Sequence, residues 1–401
     1  MAETRVNFSL WISGFGLGLI GDHIFYFVLA WSAAQIANSP LQASLVVTVG
    51  ALLRATFILF GGAVTDRIGA RRAALYSDFF RFIIAGTFAL FIALFGINIW
   101  VLYALSLTFG FIDAFFLPAV GAMPPRIVSA KALPRAQSAR SVVQRIAAAI
   151  GPPLGGLILG TQGLSQPLLI CAFLFLSSFL LLQFVKELSG QGCSEGEPSD
   201  NGGIRDGIRY AISDSVLCPA LILITVGELI VSGLTISGLA IFGTDQNWSS
   251  AQTSFALSAF GIGAIFTALL MLIKQPKGRI GTLVTSSIVI MGFGFASVGI
   301  FSQIVLIYAG LAIAGASSGV CATLLITLFL VAADKAYTGR VMSLLTLASF
   351  GVAPIANFLF GAVADWIGPA HAFIIFGAVL SIVGVGTWST PRIRAFEILS
   401  I

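Results

Sequence analysis

The amino-acid sequence predicts an all-α membrane protein: about twelve transmembrane helices in two pseudo-symmetric six-helix bundles, with both termini cytoplasmic. Three observations predict it. The composition is too apolar for water, the apolar runs are spaced as six, a break and six, and Lys and Arg fall on one side only. Of 401 residues, 58% are hydrophobic and 9% are charged, whereas soluble domains carry roughly a quarter charged residues. A water-soluble globule is excluded. Many of the 44 glycines sit inside apolar runs, as they do where transmembrane helices pack closely. The runs are continuous rather than alternating over roughly ten residues, which excludes a transmembrane β-barrel.

A helix needs about 20 apolar residues to cross the hydrocarbon core. Such runs fall at 8–35, 42–64, 75–96, 99–122, 139–160 and 167–185, then at 217–243, 251–273, 281–302, 304–330, 341–361 and 371–389. The first is too long for a signal peptide and lacks a small-residue cleavage site, so it is expected to be a mature span. Between the sixth and seventh runs lies KELSGQGCSEGEPSDNGGIRDGIRY (186–210), rich in acidic residues, Gly and Ser. It reads as a solvated linker with a short surface helix at its end. The expected domains are a first bundle over 1–186, a cytoplasmic linker over 187–215 and a second bundle over 216–401.

Connections after the even-numbered spans carry Arg67, Arg71 and Arg72; Arg126, Lys131 and Arg135; Lys186, Arg205 and Arg209; Lys274, Lys277 and Arg279; and Lys335 and Arg340. Connections after the odd-numbered spans carry no Lys or Arg, only Asp245 and Asp365. Basic residues stay on the cytoplasmic side, which places both termini there, Arg5 at one end and Arg392 and Arg394 at the other. The net charge of +5 is therefore topogenic, and no nucleic-acid partner is expected. Cys171, Cys193, Cys218 and Cys321 show no CxxC spacing and read as free thiols; no metal or cofactor is expected.

Two internal echoes support duplication. GPPLGGLILGTQGLSQP (151–167) aligns without gaps on APIANFLFGAVADWIGP (353–369), pairing the fifth span with the eleventh. GAVTDRIG (62–69) echoes GAVADWIG (361–368), which relates the second span to the eleventh. Duplicated bundles around a midplane cavity are a common architecture of secondary transporters.

The loop after the second span reads GGAVTDRIGARRAAL (61–75). Gly61 and Gly62 are expected to let two helices pack closely, and Asp66 has Arg neighbours or a helix N-terminus to pair with. A topogenic basic turn is the plain structural reading. The fifth span carries AAAIGPPLGGLILG (147–160). There Pro152 and Pro153 break the hydrogen-bond ladder, and Gly151, Gly155 and Gly156 give a smooth, bendable face.

The pattern G-x-x-x-D-R-x-G-x-R-[RK], met by Gly62, Asp66, Arg67, Gly69, Arg71 and Arg72, resembles the signature of the major facilitator superfamily. G-P-x-x-G-G in the fifth span resembles the antiporter signature of its drug-exporting members. GDHIFYFVLAW (21–31), YSDFFRFIIAG (76–86), residues 114–141 and residues 338–369 resemble the branch containing macrolide efflux pumps and the enterobactin exporter. The resemblance implies the major facilitator fold and a conformational latch between the halves at Gly62, Asp66, Arg67, Gly69, Arg71 and Arg72. It also implies an antiporter-type kinked helix at Gly151, Pro152, Gly155 and Gly156. Three departures stand out: Ala147 replaces the upstream glycine of the antiporter signature, LIKQPKGRIG (272–281) lacks an Asp-Arg pair, and Ser106 precedes Gly110 where many drug/proton antiporters have Arg. Proton coupling is therefore not assigned to position 106.

Ionisable side chains at mid-membrane depth cost at least about 2.5–3.5 kcal/mol each on insertion scales, so they face the bundle interior, pair, or line a wet cavity. The candidates are Asp22 and His23 in the first span, Arg54 in the second, Asp113 in the fourth and Glu228 in the seventh. Asp78 and Arg81, at i and i+3 in the third span, read as a structural pair near the cytoplasmic face. Arg54 reads as the one basic residue deep in a span, and needs Asp22 or Asp113 as its partner. The pair is either a static packing device or a switch released by protonation. Asp22 and His23 point about 100° apart on a helix, so they have separate jobs. Glu228 has no opposite charge at its depth in its own half; it is either neutral and hydrogen-bonded, a proton carrier, or the anionic recognition point for a cationic substrate. Phe25, Tyr26, Phe111 and Phe115 either line an apolar pocket or belong to the core and the lipid-facing surface.

These readings point to a secondary active transporter that exports a bulky amphipathic or apolar small molecule from the cytoplasm by proton antiport through alternating access. Proton coupling or substrate binding falls to Asp22, Arg54, Asp113 and Glu228. The expected partners are the substrate, protons and the lipid bilayer; the expected state is a monomer in the cell membrane, the bacterial inner membrane. The alternatives are an exporter or uniporter of a siderophore, lysophospholipid or metabolite, and a non-transporting sensor or scaffold on the same fold. No G-x-x-x-x-G-K-[ST] loop is present to bind ATP, and no catalytic or metal-ligand cluster marks an enzyme. The topology is testable: with Cys171, Cys218 and Cys321 replaced by Ser, a membrane-impermeant maleimide should label Cys193 in inside-out vesicles and not in right-side-out ones. Equal labelling in both overturns the orientation.

Overall fold

Among the described residues of the computed structural model, eleven helices are long and apolar enough to cross a membrane, and a shorter apolar one spans Ala353–Ile367. The structure describes residues 2–129, 132–187, 209–211, 213–214, 217–273, 278–332, 344–345, 348, 351–388 and 397–398. The helices are α1 (Ala2–Ile36), α2 (Pro40–Ile68), α3 (Ala70–Phe95), α4 (Ile99–Ala122), α5 (Leu133–Gln162), α6 (Ser165–Gln183) and α7 (Leu217–Asp245). They continue as α8 (Ser250–Ile273), α9 (Ile280–Ile300), α10 (Ile304–Ala332), α11 (Ala353–Ile367) and α12 (Pro369–Trp388). A two-residue antiparallel pairing of Gly278–Arg279 with Glu397–Ile398 is the only strand contact among the described residues. The expected linker lies almost wholly outside the described residues, as does Cys193.

The chain divides into two compact units, Met1–Ser194 with Ala240–Ser258, and Glu195–Leu239 with Ala259–Ile401. In the first, α1 packs on α5 and α6, α2 on α4, and α3 on α4 and α6. In the second, α9 packs on α10 and α12, and α11 packs on α7. Mid-way along α7, residues Gly233–Gly238 widen into a π-helical turn. There Gly233 meets the carbonyl of Ala356, and Ser237 Oγ donates to Asn357 Oδ1 at 2.6 Å.

Local chemistry sets the helix ends. Ser39 Oγ accepts from Gln42 N at 3.3 Å and Pro40 opens α2, while Asn98 Oδ1 accepts from Val101 N at 3.0 Å to open α4; both are N-caps that satisfy otherwise orphaned amides. The echo of 62–69 in 361–368 has a structural counterpart. Gly69 at φ +92° ends α2 and Gly368 at φ +88° ends α11, each donating its N–H back to the helix, to Thr65 O and Ala364 O. Only glycine adopts this backbone without strain. Helix α11 carries Pro354 in its first turn; most of 341–350, where the sequence reading starts this span, lies outside the described residues.

Helices α2 and α4 meet backbone to backbone. A Cβ on Gly110 would fall on the carbonyl of Gly50, and one on Gly61 on the carbonyl of Ala114. Ser106, between them, donates to Val46 O at 2.5 Å. Its small hydroxyl sits in this seam, against Gly50. The expectation for the GG pair holds only for Gly61: nothing lies within 4 Å of a Cβ on Gly62. Gly61→Val should therefore lower the fraction of monodisperse protein recovered in detergent and its melting temperature, while Gly62→Ala should leave both unchanged. Equal behaviour of the two variants by size-exclusion chromatography would contradict this packing.

Candidate functional site

Four helices of the first unit each turn one polar stripe inward. On α1 the stripe is Asp22 and Tyr26, at i and i+4; on α3 it is Asp78 and Arg81, at i and i+3. On α4 it is Phe109, Asp113 and Phe116, and on α6 Cys171, Phe175 and Ser178, both at i, i+4 and i+7. These spacings put each set on one helical face. Arg54 enters from α2. The result is one cluster, enclosed by aromatic rings.

Arg81 is its centre. The residue is wholly buried, and its Nη2 donates to Asp113 Oδ1 in a short contact. Its Nη1 lies 3.3 Å from Asp22 Oδ1 and 3.7 Å from Asp78 Oδ1. Its guanidinium stacks over Phe116 at 3.6 Å, with Phe109 and Phe175 at 5.5 and 5.4 Å, geometry in which ring faces attract a desolvated cation. On the far side of Asp113, Oδ2 accepts from Tyr26 Oη, and Arg54 Nη1 stands 3.8 Å away while donating to Tyr26 Oη at 3.2 Å. Ser178 Oγ donates to Asp78 Oδ2 at 2.6 Å. Three carboxylates thus face two guanidiniums. Fully ionised, the cluster would carry one uncompensated negative charge in a largely enclosed interior, so one captured proton makes it neutral.

Several expectations change. Arg54 pairs with Asp113, while Asp22 goes to Arg81. Arg54 is not the one deep cation, and the Asp78–Arg81 pair is not peripheral. The reason is helix length: α3 starts at Ala70, five residues before the apolar run, so Arg81 falls near mid-helix. Asp22 and His23 do separate. His23 packs its Cβ against Gly151, where any side chain would collide. Phe25 is buried and stacks on Phe109, whereas Phe111 is exposed and meets Phe57 and Phe115 edge to face. Tyr26 joins the charge cluster, a role its sequence position did not suggest.

The antiporter-type glycines are close-approach sites. Gly155 meets Ile24 and Val28 of α1, and Gly156 meets Ser250 and Ser254 of α8, with Ser250 Oγ donating to Gly156 O at 2.7 Å. Pro152 and Pro153 lie inside the helix. In the segment 62–72, where a latch is expected, Asp66 and Arg67 are exposed and make no ion pair with a described residue. Arg71 instead donates to the end of α6, to Leu182 O at 3.3 Å and Gln183 O at 2.5 Å, where a cation suits the helix C-terminus. With Gly69, Arg72 and Lys186 it lines a basic recess.

Glu228 lies apart, in the second unit. It lines a cavity of about 110 Å³ with Gly227, Val231, Met291, Ser318, Cys321 and Leu325. No other lining residue is charged. The cavity therefore offers one carboxylate among apolar walls, with a hydroxyl and a thiol nearby.

Comparison with known proteins agrees with this architecture. Residues 8–356 match the model of the Major Facilitator Superfamily. The chain is similar to the multidrug efflux pump Tap of Mycolicibacterium fortuitum, 24% identical over 393 residues that cover 95% of this chain and 94% of that pump. It is also similar to the multidrug efflux pump Tap of Mycobacterium tuberculosis, at 23% identity and 94% and 92% coverage. The uncharacterized MFS-type transporter YfiS of Bacillus subtilis is 21% identical, with 90% and 87% covered. Among solved structures, an auto-inhibited POT family peptide transporter superposes with a TM-score of 0.76 at 13% identity, covering 98% of both chains. The nucleoside transporter NupG superposes with a TM-score of 0.69 at 11% identity, covering 95% of this chain and 99% of its own. The chain is a multi-pass protein of the cell membrane, and it belongs to the major facilitator superfamily of small-molecule transporters.

Proposed function

We propose that this transporter exports a bulky amphipathic or apolar compound from the cytoplasm by proton antiport. One observation carries the reading: three carboxylates against two guanidiniums in the core of the first unit. A static packing device would be best served by matched charges, because each uncompensated buried ion costs several kcal/mol. An odd carboxylate makes the cluster a store for one proton, taken up and released as the surroundings of Asp22, Asp113 and their two Arg partners change. The relatives named multidrug efflux pumps support export of drug-like compounds. The Glu228 carboxylate, set among apolar side chains, supports recognition of a cationic point on an apolar body. The protein works as a monomer, with bundles 1–186 and 216–401 joined by a cytoplasmic linker and both termini inside, and with Asp66 and Arg67 as the latch.

In proteoliposomes with an imposed pH gradient, export of a lipophilic dye should depend on the gradient. Asp22→Asn and Asp113→Asn should reduce gradient-driven transport at least tenfold, while Glu228→Gln should lower it for cationic dyes more than for neutral ones. Gradient-independent transport, unaltered in all three variants, would sink proton coupling.

Arg81→Met removes the shared cation and leaves buried carboxylates uncompensated, a loss of about 3–5 kcal/mol. Little folded protein should be recovered. Adding Asp22→Asn and Asp78→Asn to Arg81→Met should restore folding, seen as a recovered thermal transition, without restoring proton-driven transport. A singly substituted Arg81→Met that melts like the parent would contradict the assigned centre.

A further inference from the structure

The three carboxylates of the cluster are not equally served. Asp113 takes Arg81 Nη2 on one oxygen and Tyr26 Oη on the other, with Arg54 Nη1 3.8 Å away. Asp78 is completely enclosed, and its Oδ2 takes the Ser178 hydroxyl at 2.6 Å. Asp22 Oδ1 stands 3.3 Å from Arg81 Nη1 but accepts no hydrogen bond from a described residue. Its side chain is 12% accessible, against 4% for Asp113 and 0% for Asp78. Hydrogen bonds to a carboxylate hold it ionised, so a proton settles on the carboxylate that lacks them and can reach water.

Tyr26 sits where that order is decided. Its O–H is committed to Asp113, and its oxygen accepts from Arg54 Nη1 at 3.2 Å. Arg54 also lies 5.6 Å from the Tyr26 ring centroid. The phenol therefore joins the second guanidinium to Asp113 on the side away from Arg81. We propose that Tyr26 is a positioning residue that locks Asp113 as an anion and thereby leaves the exchangeable proton to Asp22. The proposal rests on the reading of the cluster as a proton store. Groups that face Asp22 are Tyr26 on its own helix, Arg54 from α2, Asp78 and Arg81 from α3, Asp113 from α4, and the Cys171 thiol of α6, which donates to Gly21 O at 3.4 Å. On α5, Arg140 stacks on Phe15, about two turns further along α1.

The test is infrared difference spectroscopy on the full chain in liposomes, titrated with acid and base, following the carbonyl stretch of a protonated carboxylic acid. Charge-preserving Asp→Glu variants assign the band, since neutral variants would remove the excess charge itself. In the parent, Asp22→Glu should shift the band, whereas Asp113→Glu and Asp78→Glu should leave it in place. In Tyr26→Phe, which keeps the ring against Phe25 and Phe109, the proton should be shared, so that Asp113→Glu now shifts the band as well. A parent band that follows Asp113→Glu or Asp78→Glu overturns the inference and leaves the proton store standing. So does a Tyr26→Phe band that still follows Asp22→Glu alone. Absence of any titrating band overturns the proton store, and the inference with it.

Discussion

A single guanidinium organises the first unit. Arg81 is wholly buried, and three carboxylates on α1, α3 and α4 converge on it. A buried ion costs several kcal/mol unless its partners are well placed, so α1 and α4 must come within side-chain reach of α3 for the fold to be viable. Helix α6 completes the enclosure with Phe175 on the cation and Ser178 on Asp78. The aromatic rings exclude water and at the same time present negative ring faces to the charge. Packing and electrostatics are one arrangement here, not two.

The second unit is built on a different plan. Among its described residues, the helix-to-helix polar contacts are made by hydroxyls and an amide, such as Ser237 with Asn357. Its one described carboxylate in a cavity, Glu228, has apolar neighbours. A peptide transporter and a nucleoside transporter share the fold at 13% and 11% identity. One scaffold carries many chemistries, so the chemistry of this chain is to be sought in the side chains of this cluster and this cavity.

The helical membrane architecture was legible in the sequence because hydropathy is a local, additive signal. Apolar runs marked the spans, and the echo ending in Gly69 and Gly368 marked equivalent helix ends. The members of the site were largely legible too, because a charge inside an apolar run is conspicuous. Their pairing was not. Arg81 sat close to the start of its apolar run, and only the extension of α3 back to Ala70 puts it near mid-helix. Which carboxylate meets which cation depends on helix rotation and on depth to within one turn, and neither is encoded in spacing along one chain segment. Tyr26 escaped for a related reason: a tyrosine among many aromatics shows no sign of its hydroxyl partner. Helix α4 did carry a usable signal, since Phe109, Asp113 and Phe116 share one face.

The contacts between α2 and α4 have a mechanical consequence. Gly50 with Gly110 and Gly61 with Ala114 join the two backbones on either side of Arg54 and Asp113. With backbone against backbone at both contacts and only the small Ser106 hydroxyl in the seam, there is little side chain to deform, and the two contacts bracket Arg54 and Asp113. Any rearrangement of the cluster then falls to side-chain rotation, or to α1 and α3 shifting against the α2–α4 pair.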